Sequence, residues 1–167
     1  MTDDFDNEGT VPLPPIPKVT PKKGQARAAA RLAAVQALYQ RDMEGTELHI
    51  LLDEFHRHRL GAEIEDMQFA EAETAFFDDV VRGYVARAEE IDSLLSSKLA
   101  DGWRLQRLDK TMLQILRAGA YELLARADVP TAAAISEYVD VAHAFFEPRE
   151  AKFVNGVLDA VGKEVRR

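Results

Sequence analysis

From Gln25 onward the apolar residues return at intervals of three and four, segment after segment, and no stretch shows a strict period of two bounded by turn residues. A period near 3.6 marks helices with one buried face, whereas strands would repeat every second residue. The clearest stripe is Phe77, Val80, Val81, Tyr84, Ala88, Ile91, Leu95 and Leu99, which predicts one long helix over about 69–99, broken at Gly102. Leu105, Leu108, Met112, Ile115, Leu116, Gly119 and Leu123 predict a helix over about 105–126, closed by the turn Asp128-Val129-Pro130. Ile135, Val139, Ala142 and Phe145 give another over about 132–146, and Phe153, Val154, Val157, Leu158, Val161 and Val165 a last one over about 149–165.

Two further helices precede these. Ala26 and Ala28 to Ala30, with Ala33, Ala34 and Ala37, surround Arg27, Arg31 and Leu32 in a segment of very high helix propensity, read as a helix over about 25–42 that stops near Gly45. Leu48, Leu51, Leu52 and Phe55 place a second over about 46–60, ended by Gly61. Ahead of them the run Val11-Pro12-Leu13-Pro14-Pro15-Ile16-Pro17 cannot continue a helix, and the acids before it offer nothing to bury, so 1–24 reads as a disordered tail. The expectation is an all-α protein: one compact bundle of about six to seven helices in 25–167, behind an acidic, Pro-rich and then basic tail.

Composition removes several function classes. There is no cysteine, hence no disulfide, thiolate metal site or cysteine nucleophile. His56 and His58 stand about 200° apart on a helix and cannot share a metal, and no Gly-rich phosphate loop or calcium-type acidic loop is present. Serines 93, 96, 97 and 136 lack a nucleophile setting. No catalytic residue, cofactor or metal site is therefore expected. No apolar run approaches the roughly 20 residues that span a bilayer, and the start resembles neither a secretory signal nor a transit peptide, so a cytoplasmic location is expected.

The net charge of −8 argues at first against nucleic acid, but the charges are segregated. Residues 1–17 carry four acids and no base; 18–41 carry six bases (Lys18, Lys22, Lys23, Arg27, Arg31, Arg41) and no acid; 42–79 carry twelve acids against Arg57 and Arg59. A basic block between acidic ones makes a local positive patch whatever the total. Lys23, Arg27, Arg31, Val35 and Tyr39 form an i+4 row, so three cations and an aromatic ring share one drifting ridge. RNA needs such a surface: guanidiniums for phosphates and base edges, a ring for an unpaired base. The plain alternative is that the arginines are ordinary solvated helix residues and Tyr39 is core. Two other positions have structural readings. Gly156, inside the last stripe, suggests a close helix–helix approach, and Trp103 suggests a core plug at a loop-to-helix junction.

Four ordered segments resemble the NusB family of transcription antitermination factors: Ala33-Ala34-Val35-Gln36-Ala37-Leu38-Tyr39, Leu116-Arg117-Ala118-Gly119-Ala120-Tyr121-Glu122-Leu123, Val129-Pro130 with Ile135-Ser136-Glu137, and Lys152-Phe153-Val154-Asn155-Gly156-Val157-Leu158-Asp159. Their order and spacing agree from about 25 to 162. The resemblance implies two packed helical sub-bundles. It implies binding of boxA RNA in ribosomal RNA leader transcripts, jointly with NusE (a small-subunit ribosomal protein), and assembly of a termination-resistant RNA polymerase elongation complex with other Nus factors. It assigns RNA contact to Lys22, Lys23, Arg27, Arg31, Tyr39, Arg117, Lys152 and Phe153. Some members self-associate, and the sequence leaves a homodimer open.

Departures from the family pattern bear on the RNA contacts. The first-helix arginines are thinned to Arg27 and Arg31 around three alanines, Met112 stands where some relatives have a polar residue, and Arg149-Glu150-Ala151 replaces a small polar approach to Lys152. They imply weak, salt-sensitive RNA binding by the chain alone, raised by NusE. If Arg27 and Arg31 are exposed, replacing both with alanine costs RNA affinity and little stability. One rival reading is the helical domain attached to ribosomal-RNA cytosine methyltransferases; that enzyme needs a catalytic cysteine and a Gly-rich loop, which are missing here. The other is a protein-interaction module whose RNA role has lapsed.

Overall fold

The computed structural model describes residues 23–58, 60 and 67–166, with the side chains of 23, 24 and 67–72 outside the description. Of the expected tail over 1–24, residues 1–22 lie outside the described residues, as does the stop at Gly61, while Lys23 and Gly24 already belong to the first helix. Seven α-helices and no strand occur among the described residues: α1 (Lys23–Glu44), α2 (Leu48–His58), α3 (Met67–Ala86), α4 (Ala88–Ser96), α5 (Lys110–Ala125), α6 (Thr131–Phe145) and α7 (Pro148–Val165). A 3-10 turn, Leu105–Arg107, precedes α5. α1, α2 and α3 pack together, as do α5, α6 and α7, and the contacts of α1 and α3 with α5 join the two groups around one continuous core. No described helix is long and apolar enough to cross a membrane.

The alanine segment has a stronger meaning than helix propensity. Every residue from Ala29 to Leu38 is buried, so this middle stretch of α1 is surrounded on all sides rather than lying on the surface. A helix with a conventional polar face could not occupy this position. Small side chains let α3 and α5 approach it closely.

Two boundaries and two packing readings differ from the sequence reading. The long third helix is two, because Arg87 leaves helical geometry (φ −119°, ψ 27°) and its N–H is shared between the carbonyls of Gly83 and Tyr84. The apolar stripe resumes in phase beyond the bend, with Tyr84, Ile91 and Leu95 all buried, so periodicity carries no mark of it. A clip holds the bend: the Tyr84 hydroxyl donates to Asp92 at 3.0 Å, and Arg117 donates to both Asp92 carboxylate oxygens at 3.0 and 2.9 Å. The predicted fourth helix starts later, because Leu108 is extended and Asp109 caps α5, its Oδ1 accepting from the N–H groups of Thr111 and Met112 at 2.8 and 3.1 Å.

The third difference is Trp103, which is 57 % exposed and not a core plug. Gly102 adopts φ 87°, a left-handed conformation that suits glycine, and Arg104 is extended; Leu105 and Leu108 fill the core instead. Gly156 is likewise not a close-approach site, since a Cβ there would meet nothing within 4 Å. The close approach is at Gly83, where a Cβ would lie 2.1 Å from the Tyr121 ring.

Candidate nucleic-acid interface

The first-helix ridge turns inward. An i+4 row drifts by about 40° per step, and on a helix enclosed on all sides that drift carries its middle into the core. Arg27 stays partly exposed, 3.6 Å from the Asp128 carboxylate and 4.7 Å above the Phe76 ring. Arg31 is 4 % exposed and Val35 1 %, and Tyr39 re-emerges half-buried. Lys22 and the Lys23 side chain lie outside the described residues. The expectation of an exposed Arg31 is therefore corrected.

What holds Arg31 inside is a closed polar network. Its Nε and Nη2 donate to the two Glu122 oxygens at 2.8 and 3.0 Å, and Nη1 lies 3.4 Å from Glu137. The Tyr138 hydroxyl donates to the same Glu122 carboxylate. Glu122 and Tyr138 are both 0 % exposed. Burial alone would lower the Arg31 pKa, but the Glu122 hydrogen bond and charge outweigh it and the net shift is upward. Burial first, then the Glu122 charge, pushes the Tyr138 hydroxyl well above the tyrosine range. Two-point Arg–carboxylate geometry is the strong form of this pairing. The Phe76 ring gathers Arg27, Arg31 and Arg126 at 4.7, 4.9 and 4.9 Å, so these arginines build the junction of α1 with α3, α5 and α6.

Arg117 is also committed internally. It pairs with Asp92 and lies 5.1 Å from the Tyr84 ring, with 15 % of its side chain exposed. It borders a polar recess of about 290 Å³ with Asp42, Asp92, Gln106 and Lys110. Among the described residues no group of three or more His, Asp or Glu is placed to hold a metal.

Phe153 stands in company the sequence did not announce. Exposed Trp103 lies beside Phe153, ring centroids 6.4 Å apart and tilted by 35°. These rings, with Arg107, Leu108, Met112, Phe146 and Arg149, line an apolar-floored groove of about 530 Å³. The Arg149 side chain is 92 % exposed at its rim, and Lys152 is exposed one turn along α7. Burial first, then the charge of Asp109, a residue of the groove lining, raises the Tyr39 hydroxyl pKa. An open aromatic face with cations at the rim suits an unpaired base and its phosphates. Trp103 was read as a core plug and Arg149 as a departure beside Lys152, and neither they nor Arg107 were read as groove residues, because the groove joins segments remote in sequence.

The model of the NusB family matches residues 28–163. The chain belongs to the NusB family. The transcription antitermination protein NusB of Novosphingobium aromaticivorans is 73 % identical over 148 residues, covering 89 % of this chain and 100 % of that protein. That of Sphingopyxis alaskensis is 61 % identical over 146 residues, covering 87 % and 98 %. Among solved structures, T. maritima NusB matches with TM-score 0.71 at 30 % identity, over 84 % of this chain and 93 % of its own. A crystal structure of antitermination factors NusB and NusE in complex with dsRNA matches with TM-score 0.70 at 27 % identity, over 84 % and 98 %. In this NusB-family chain much of what makes the segments recognisable is packing: Val35 and Leu38 lie in the core, and Glu122 and Glu137 hold Arg31.

Proposed function

We propose that this transcription antitermination protein binds boxA RNA through the groove between the 3-10 turn, the start of α5 and the start of α7. It does so jointly with NusE, on the way to a termination-resistant elongation complex in the cytoplasm. The work is recognition and assembly, with no chemical step. The observation that carries this is exposed Trp103 beside half-buried Phe153, with Arg107, Arg149 and Lys152 exposed around them. Tyr39 and Arg27 extend the surface along α1. Arg31 and Arg117 support it from within, by fixing α1 and the α3–α4 bend, and do not donate to RNA.

With few cations at the groove, the chain alone binds weakly and the affinity depends on salt. Three phosphate contacts to a single strand give a slope near −2 in log affinity against log salt, so a fourfold rise in salt weakens binding about twentyfold. Titration of boxA RNA at two salt concentrations, with and without NusE, tests both parts. The expected result is that steep loss for the chain alone and a marked gain with NusE. Equal affinity with and without NusE removes the joint-binding reading.

A further inference from the structure

Two properties of the Trp103 groove together select an occupant. Its floor is aromatic and apolar, with Trp103 57 % exposed beside Phe153. Its surroundings are cationic, since Arg104, Arg107, Arg149 and Lys152 are all exposed. The two acids of the lining are already engaged: Asp109 caps α5, and Glu150 Oε2 lies 3.5 Å from Arg149 Nη2. The complement of such a surface is an extended, ring-bearing segment that carries negative charge.

The chain itself holds one. Residues 11–17 include four prolines, and Asp3, Asp4, Asp6 and Glu8 precede them with no basic side chain among residues 1–17. Proline fixes φ and has no N–H to leave unpaired, so a run of this kind docks in extended form on aromatic grooves at low entropic cost. The lengths agree as well. Asp42 lies nineteen residues beyond Lys23 on α1, about 28 Å along the axis, and it lines one recess with Leu105, Gln106 and Lys110, the chain neighbours of the groove residues Arg107 and Asp109. Pro12 and Pro14 precede Lys23 by eleven and nine residues, an extended reach of about 28–34 Å, and the four acids reach further.

We propose that residues 3–17 fold back onto the Trp103–Phe153 groove of their own chain and compete with RNA for it. Proline rings lie against Trp103 where a base would stack, and the four carboxylates meet the exposed cations where phosphates would. The contact is intramolecular, so an interaction of only about millimolar strength is about half formed at the millimolar effective concentration that a short link provides. RNA then finds the groove open in about half of the molecules, and its apparent affinity falls in proportion. The competition rests on the RNA-binding reading above; the docking of the segment does not.

Trp103 is the sole tryptophan, so acrylamide quenching of its emission in the full chain, without RNA, reads the covered fraction. Two full-length variants are compared with the parent. One carries Asp3→Asn, Asp4→Asn, Asp6→Asn and Glu8→Gln; the other carries Pro12→Ala, Pro14→Ala, Pro15→Ala and Pro17→Ala. Quenching becomes about 1.5- to 2-fold stronger in each variant as a half-covered ring is released. In the parent it strengthens with salt, which screens the charge contacts. Anisotropy of end-labelled boxA RNA shows both variants binding about two- to fourfold tighter than the parent. The proline variant keeps every charge, so its gain separates docking from simple relief of repulsion between acids and RNA. Equal quenching in the parent and both variants overturns the docking and leaves the RNA reading intact. Shielding that grows with protein concentration overturns the docking within one chain. Shielding released in both variants with no gain in RNA affinity overturns the competition. The same release with no RNA binding at all, NusE present as well as absent, upholds the docking and overturns the RNA reading together with the competition.

Discussion

Arg31→Ala strips the cation from Glu122, which is 0 % exposed and receives both guanidinium hydrogen bonds, at 2.8 and 3.0 Å. Removing one member of a buried pair costs about 3–5 kcal/mol, because the survivor stays desolvated. The packing of the guanidinium over Phe76, 4.9 Å to the ring centroid, is lost as well. Against this, relaxation and water admitted to the space the guanidinium leaves offset part of the cost, which places the net loss toward the lower end, about 3–4 kcal/mol. A domain's whole stability is about 5–15 kcal/mol, so the effect is large. In melting temperature it corresponds to a fall of roughly 6–16 °C for a chain of this size. Urea unfolding followed by far-ultraviolet circular dichroism measures it. Two companions separate the network from general damage. Arg27→Ala, whose ion pair is exposed, costs at most about 1 kcal/mol. The double change Arg31→Met with Glu122→Met removes both charges and restores much of the stability lost in the single variant. A loss below about 1 kcal/mol for Arg31→Ala, or a double variant as unstable as the sum of its parts, would refute the buried-network account.

Two glycines in helices should respond with opposite sign. Gly83→Ala drives a methyl to 2.1 Å from the Tyr121 ring and lowers stability by about 1–3 kcal/mol, whereas Gly156→Ala meets nothing within 4 Å and raises it by about 0.5–1 kcal/mol. Thermal melts of the two variants check this, and a Gly83→Ala protein as stable as the parent would contradict the close approach. All four tyrosines have raised pKa values, burial being the first cause in each, with Tyr121 pushed up to about 12. Their folded values exceed the unfolded one near 10, so the folded state keeps its phenolic protons longer. That contribution to stability is complete below about pH 10 and is lost as pH rises toward and through about 12. Tyrosinate absorbance and circular dichroism followed together should rise and collapse in step; normal titration of all four tyrosines in the folded protein would contradict this.

The helices were legible because each buries a stripe at helical spacing, and the all-α reading needed nothing more. The bend at Arg87 was not, since the stripe keeps its phase across it and phase records which face is buried, not where the axis points. Leu105 and Leu108 are spaced as in a helix, but Asp109 is the better boundary signal: a carboxylate able to cap the N–H groups that follow. Arg31 illustrates a deeper limit. The i+4 row correctly identified residues sharing a ridge, but whether the ridge faces water depends on partners remote in sequence, and Glu122 is 91 positions away. Among alanines there was no polar face to orient the helix by. Trp103 misled through its bulk, since a large apolar ring favours the core unless, as after Gly102, the backbone turns it out. The groove joins residues from the 3-10 turn, α5 and α7, and only the fold places them side by side.

In the proposed mode of binding, RNA lies on the aromatic groove and not along an arginine ridge. Ultraviolet cross-linking of boxA RNA to the chain with NusE, with the modified residues mapped by mass spectrometry, tests it most directly. The expected adducts are at Trp103 and Phe153, with Tyr39 at the edge and none at Arg31. Adducts along the first helix from Arg27 to Arg31, with Trp103 and Phe153 unmodified, would contradict it.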